Sequence, residues 1–148
     1  MLRLASVVVR RMSKSTGGQG RLIWIDCEMT GLNYEKQTLV EIAAIVTDKD
    51  LKVLQFLEKE TAKGECPLAG NSVGMDRCFL NKYMPRLSRH LHYRTVDVST
   101  VKELTRRWFP DEFAGAPQKK CTHRALDDIR ESIEELRYYR SAVFREGK

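Results

Sequence analysis

Two apolar stretches near the start of the chain have the length and character of buried strands. RLIWIDCE, residues 21–28, is an apolar run that ends in acids, and LVEIAAIVT, residues 39–47, is rich in β-branched side chains and stops at Asp48, Lys49 and Asp50. TGLNYEKQT between them is polar and contains glycine, so the pattern predicts two strands joined by a loop. Leu51–Leu57 opens like a third strand and then passes into the helix-favouring LEKETAKGE, as if an element were cut short.

Further along, CPLAGNS, residues 66–72, and the segment near residues 93–98 in YRTVDVSTV read as strands. MDRCFLNKYM carries Met75, Phe79 and Tyr83 at helical spacing. STVKELTRRWF predicts a helix with Ser99 as its N-cap and Val101, Leu104 and Trp108 on one face. FPDEFAGAPQKKC, residues 109–121, is a Pro- and Gly-bearing loop that leads to a long final helix, with Thr122 as candidate cap and Ala125, Ile129, Ile133 and Leu136 on one stripe. Alternating strands and helices predict a mixed α/β domain.

The chain has 148 residues, enough for one domain with its own core. Hydrophobic and charged fractions of 42% and 31% suit a soluble globular protein, and no apolar run reaches membrane-span length, so no membrane association is expected. The net charge of +6 suggests a nucleic-acid footprint until it is divided along the chain. Arg3, Arg10, Arg11 and Lys14 place +4 in residues 1–20, where there is no acid, and leave +2 for residues 21–148. A body that close to neutral argues against a long basic groove and remains compatible with a very short substrate.

Residues 1–20, MLRLASVVVRRMSKSTGGQG, are basic, acid-free and Ser-containing, with a short apolar stretch at residues 4–9 and a Gly-rich exit. That composition is expected of a mitochondrial transit peptide, with a disordered basic tail as the other reading, and residues 21–148 then form the domain. A start at Met12 would leave a cytosolic or nuclear form. Cys27, Cys66, Cys78 and Cys121 are scattered singly, without paired C-x-x-C spacing, and are given no chemistry.

The candidate chemistry lies in acids and one histidine. In a strand, residues two apart face the same way, so Asp26 and Glu28 project their carboxylates side by side. Such a pair can hold two divalent cations roughly 3.5–4 Å apart, the spacing that stabilises both attacking and leaving oxygens of a phosphodiester. A D-x-E pair also arises by chance at solvated strand ends, although Ile23, Trp24 and Ile25 imply a buried strand that delivers the acids to a crevice. Asp76 follows the 71–74 turn at the head of a helix, where an acid also suits the helix dipole, and Asp127 and Asp128 share that alternative. His123 lies five residues before Asp128, at a helix start where a histidine is often structural.

Together the blocks are recognisable. D-x-E, then a lone Asp after G-N-S, then H-x-A-x-D-D, resembles the DEDDh 3′-to-5′ exonucleases of the RNase H-like superfamily. WIDCEMTGL, CPLAGNSVGMDRCFLNKYMP, HYRTVDVSTVKEL and HRALDDIRESIEEL are similar, more narrowly, to the oligoribonuclease family, over nearly all of residues 21–146. The resemblance implies an RNase H-like mixed sheet flanked by helices. It implies hydrolysis of di- and short oligoribonucleotides to nucleoside 5′-monophosphates with two divalent cations, Mg²⁺ or Mn²⁺. It makes Asp26, Glu28, Asp76 and Asp128 the metal-site acids and His123 the general base. It makes Leu32 a base wedge and puts Ser72, Tyr93, Arg94 and Ser99 at a pocket that caps the 5′ end, part of it supplied by the second subunit of a homodimer. Arg94 suits a terminal phosphate through its planar fork of donors, whereas Tyr93 without the resemblance would read as core packing.

One departure stands out. Between Leu54 and Gln55 family members carry about fifty more residues, as a domain of ordinary size in this fold requires. Part of the third strand and the following helices are therefore expected to be missing, and with them an aromatic partner for Leu32. All the acids and His123 are kept. The leading expectation is a metal-dependent 3′-to-5′ exoribonuclease; the alternative is an impaired shortened isoform that dimerises with, or modulates, a full-length enzyme. An exonuclease for longer DNA or RNA is disfavoured by the near-neutral body.

Overall fold

Strand β1, Leu22–Met29, is the axis of the fold. The structure, a computed structural model, describes residues 20–48, 53–54, 61–118 and 125–144, of which 53–54 are described through the backbone alone. β2 (Leu39–Thr47) runs antiparallel to β1, and the two-residue β3 (Val53–Leu54) pairs antiparallel with Val46 and Thr47 of β2. On the other side of β1 lie β4 (Leu68–Gly70) and β5 (Thr95–Asp97), both parallel. The sheet order is β3-β2-β1-β4-β5, with helices α1 (Gly74–Tyr83), α2 (Pro85–His90), α3 (Val98–Trp108), α4 (Pro110–Ala114) and α5 (Ala125–Ala142). This is the mixed α/β sheet expected from the resemblance to RNase H-like proteins. Its third strand is short, also as expected.

β1 is buried on both faces because its two sets of alternating side chains serve two cores. Ile23, Ile25 and Cys27 pack with Phe79 and Leu80 of α1 and with Leu39, Val46 and Leu68. Leu22 and Trp24 face the other way, into a cluster with Ala69, Val98, Ile129 and Ile133 that docks α5 and the start of α3. The Trp24 indole Nε1 donates to the Thr47 hydroxyl at 2.9 Å, so this large ring is buried without an orphaned donor. A register shift between Glu28 and Met29, opposite Glu41 and Leu39, lets Leu39 turn into the first core while Val40 stays half exposed.

Several element boundaries differ from the sequence expectation. The cap of α3 is Asp97, whose side chain accepts from the Ser99 amide, so Ser99 lies inside the helix. The buried positions of α3 are Val98 and Thr105, whereas Leu104 and Trp108 of the predicted apolar stripe are 38% and 65% exposed. Residues 110–114 of the expected loop form α4, with Pro110 at its first turn where a proline costs no hydrogen bond. The strands predicted at 66–72 and 93–98 are real and shorter. The α5 stripe is buried at Ala125, Ile129 and Ile133 and partly at Leu136. The cap expected at Thr122, residues 57–60 of the helix-favouring stretch, and the leader of residues 1–19 lie outside the described residues, while residues 61–65 of that stretch form a turn, with Gly64 at positive φ, and no helix.

Candidate active site

The β1–β4 ladder joins Ile23 to Leu68 and Trp24 to Ala69, and does not extend to the end of β1 where the acids stand. β4 ends at Gly70, so the acids stand beyond the last parallel pair, at the carboxyl ends of the strands where open α/β sheets place their ligand sites. Gly70 approaches β1 closely: a Cβ on it would meet the Ile25 carbonyl oxygen at 3.0 Å, so any side chain there requires the neighbouring backbone to give way by a few tenths of an ångström.

Asp26 and Glu28 continue the Leu22–Trp24 face of β1 beyond the end of the β4 ladder. Asp128 comes from the first turn of α5, one residue before Ile129, which is buried against Trp24. The hydrophobic contact that docks the helix therefore sets where Asp128 falls. One carboxylate oxygen from each of Asp26, Glu28 and Asp128 lies within 4.8 Å of the others, and all three residues are half buried. Like charges this close repel by on the order of 4 kcal/mol per pair in a surface-like dielectric. A hard divalent cation reverses that sign, and three convergent carboxylates from two elements are the donor set that Mg²⁺ or Mn²⁺ prefers. Glu41, directly opposite Glu28 across the β1–β2 ladder, adds a further acid beside the group.

Asp76 does not join that triangle. From the first turn of α1 its Oδ1 accepts the Cys27 amide at 2.9 Å, on the edge of β1 that the β4 ladder does not reach. It thereby holds the peptide between Asp26 and Glu28. Burial, partly offset by hydrogen bonds from its own and the Cys27 amide and from the Cys27 side chain, pushes the Asp76 carboxyl up to about 6. The Cys27 thiol is pushed well above its ordinary range, first by burial and then by the charges of Asp76, Asp26 and Glu28, so it stays protonated and inert.

The expected substrate positions fall on the surface near the sheet ends. Leu32 is 70% exposed on the 30–38 loop, which Lys82 of α1 ties down by donating to the Tyr34 and Glu35 carbonyls at 2.8 Å. Tyr93 is 73% exposed, stacks on His92 with centroids 4.4 Å apart, and carries the Arg94 guanidinium 4.9 Å above its ring. Core packing is thus excluded for Tyr93. Ser72 Oγ and Ser99 Oγ are 3.1 Å apart, although 27 residues separate them. His123 lies outside the described residues.

Sequence reasoning missed two groups. Asp97 and Ser99 compete for the same cap role in the sequence, since aspartate and serine are equally strong N-caps. Glu135, buried in α5, accepts from the Asn71 side-chain amide at 3.0 Å and pairs with Lys102 of α3 at 3.3 Å, and an acid within a helical charge pattern gives no sign of burial.

Comparison with known proteins agrees with this geometry. The exonuclease family (RNase T type) matches residues 23–56 and 51–136. The chain belongs to this exonuclease family. Its relatives include the mitochondrial oligoribonucleases of Bos taurus and Homo sapiens, each 41% identical over 175 aligned residues that cover 84% of this chain and 74% of the relative. The oligoribonuclease of Leifsonia xyli is 44% identical over 174 residues, covering 84% of both chains. Since 84% of 148 residues is about 124, roughly fifty of the 175 aligned positions have no counterpart in this exonuclease. The family match breaks into two parts that overlap at residues 51–56.

Proposed function

We propose that the chain is a 3′-to-5′ exoribonuclease that degrades di- and short oligoribonucleotides to nucleoside 5′-monophosphates by a two-metal mechanism. The observation that carries this reading is the convergence of Asp26, Glu28 and Asp128 within 4.8 Å at the open end of β1. The oligoribonuclease relatives supply the substrate class. Bound Mg²⁺ or Mn²⁺ would supply Lewis-acid stabilisation of the attacking and leaving oxygens. Asp26, Glu28 and Asp128 would hold the ions, and Asp76 would support them by fixing the Cys27 peptide. His123, placed by the family motif five residues before Asp128, would take the proton from the attacking water. Leu32 would wedge against a base, Tyr93 would stack, and Arg94 with Ser72 and Ser99 would hold the 5′-terminal phosphate, limiting the substrate to short RNA.

A homodimer would complete this pocket, and the exposed stripe of Leu104 and Trp108 on α3 is an apolar face that a second subunit could cover. Residues 1–20 would direct the protein to the mitochondrial matrix, as the names of the mammalian relatives suggest, and a start at Met12 would give a cytosolic or nuclear form. Fusing residues 1–20 to a fluorescent reporter tests the address. The activity test is a labelled diribonucleotide with Mg²⁺ or Mn²⁺. Mononucleotide should appear, and Asp26→Ala or His123→Ala should abolish it; no turnover by a folded dimer would overturn the reading.

The roughly fifty unmatched positions favour a second reading, an impaired shortened form that pairs with a full-length enzyme. Mixing the two chains distinguishes it: this reading predicts co-elution and reduced activity of the full-length enzyme.

A further inference from the structure

We infer that Asp97 is the positioning residue of the Ser72–Ser99 pair and thereby sets the grip on the 5′ end of the substrate. This rests on the reading that the pair holds the terminal phosphate. One carboxylate oxygen, Asp97 Oδ1, accepts two backbone amides from separate segments: Ser72 in the β4–α1 turn at 3.0 Å and Ser99 in the first turn of α3 at 2.9 Å. β4 and β5 bring these segments together, with Gly70 paired to Asp97 across the parallel ladder. Ser72 has φ of +52°, the only non-glycine with positive φ among the described residues. A left-handed serine is held against its preference, at a cost on the order of 1 kcal/mol. The Asp97 bond to its amide is what secures that conformation.

The consequence is geometric. With both amides on one oxygen, the two hydroxyls stand 3.1 Å apart and exposed, close enough to share one oxyanion. Asp97 acts as a positioning residue and not as a phosphate ligand, since a carboxylate repels a phosphate and its Oδ1 accepts the two amides. Removing it frees Ser72 to relax to negative φ and carries its hydroxyl away from Ser99. The hydrolytic acids are on other elements, β1 and α5, so the effect falls on binding.

The test measures binding of 5′-phosphorylated diadenylate by calorimetry in Ca²⁺, with unphosphorylated diadenylate as control. Asp97→Ser keeps a cap for α3 but is too short to reach Ser72, whereas Asp97→Asn keeps an acceptor for both amides. Asp97→Ser should weaken binding of the phosphorylated dinucleotide about tenfold, comparable to losing one good hydrogen bond. Asp97→Asn should bind within about twofold of the parent, and neither change should alter the control. Melting curves for Asp97→Ser close to the parent's would show that the loss is not unfolding. If Ser72→Ala and Ser99→Ala weaken binding while Asp97→Ser does not, Asp97 is not the organiser and the inference fails. If none of the three changes weakens binding, the terminal-phosphate reading fails first and takes the inference with it.

Discussion

Replacing Asp76 by Asn removes a buried charge while keeping an oxygen for the Cys27 amide. In the metal-free protein the Asp76 carboxyl is pushed up to about 6, chiefly by burial, from an ordinary value of 3.8. Each tenfold difference in proton affinity between folded and unfolded states is worth about 1.4 kcal/mol, so a charged Asp76 costs the fold about 3 kcal/mol at neutral pH. Below the unfolded value both states hold the proton and there is no penalty. As pH rises the unfolded chain releases its proton first, and the penalty grows until the folded carboxyl has ionised too, above about pH 7. The Asp76→Asn variant has no such group. Urea melts in EDTA between pH 4 and pH 8 should therefore show the variant gaining on the parent by up to about 3 kcal/mol across that range. A constant offset from the new amide, whatever its sign, does not affect this slope. The same variant keeps the oxygen that holds the Cys27 peptide between Asp26 and Glu28, so it should lose less activity with Mg²⁺ or Mn²⁺ than Asp76→Ala, which removes that hydrogen bond. Parallel pH profiles for parent and variant in EDTA would refute the burial argument.

Other changes follow from the same geometry. Asp26→Asn or Asp128→Asn should weaken Mn²⁺ binding, read by calorimetry, by more than the roughly 10–100-fold that loss of an outer partner costs. Ile129→Ala should destabilise by about 2–5 kcal/mol in urea melts, since Ile129 is 2% exposed against Trp24, and should lower activity by loosening Asp128. Gly70→Ala forces a Cβ to 3.0 Å from the Ile25 carbonyl oxygen, so β1 and β4 must part. Its cost, about 1–3 kcal/mol as for overpacking, should appear both in the melt and in activity.

Where local pattern decides structure, the sequence is a reliable guide. β2 has its expected bounds, Leu39–Thr47, because β-branched density and the following acids act over a few residues. The α5 stripe is legible for the same reason: Ile129 and Ile133 recur at helical spacing and are buried. On α3 the pattern is real but misleading. Val101, Leu104 and Trp108 do form an apolar stripe, yet the helix docks through Val98 and Thr105, since periodicity says that a face favours burial and not against what. The acids of the site are legible as residue types at known spacing. Their division of labour is not: that Asp76 takes the Cys27 amide depends on where the β4 ladder along β1 ends, and that Asp97 joins Ser72 to Ser99 depends on the β4–β5 register. Both are backbone contacts across long sequence separations, invisible to side-chain pattern.

A shortfall after Leu54 would carry a structural cost that can be measured. β2 has nine residues, and β3 pairs with only Val46 and Thr47 at one end of it. Elsewhere along that edge no strand pairs with β2 among the described residues, and Val40 and Ala44 on it are exposed. An edge left unpaired over that length would be a template for pairing with another chain, and exposed apolar groups beside it add to the tendency. The active-site end of β1 is paired with this same strand, Asp26 to Ala43 and Glu28 to Glu41, so loosening of β2 is transmitted to two of the three clustered carboxylates. Inserting the corresponding segment of a relative after Leu54 should therefore raise the melting temperature, reduce concentration-dependent association and increase turnover of a dinucleotide. A shortened chain that is monodisperse, melts cooperatively at the same temperature as the restored one and turns over as fast would show that the β2 edge is already satisfied and that the missing positions are dispensable to the site.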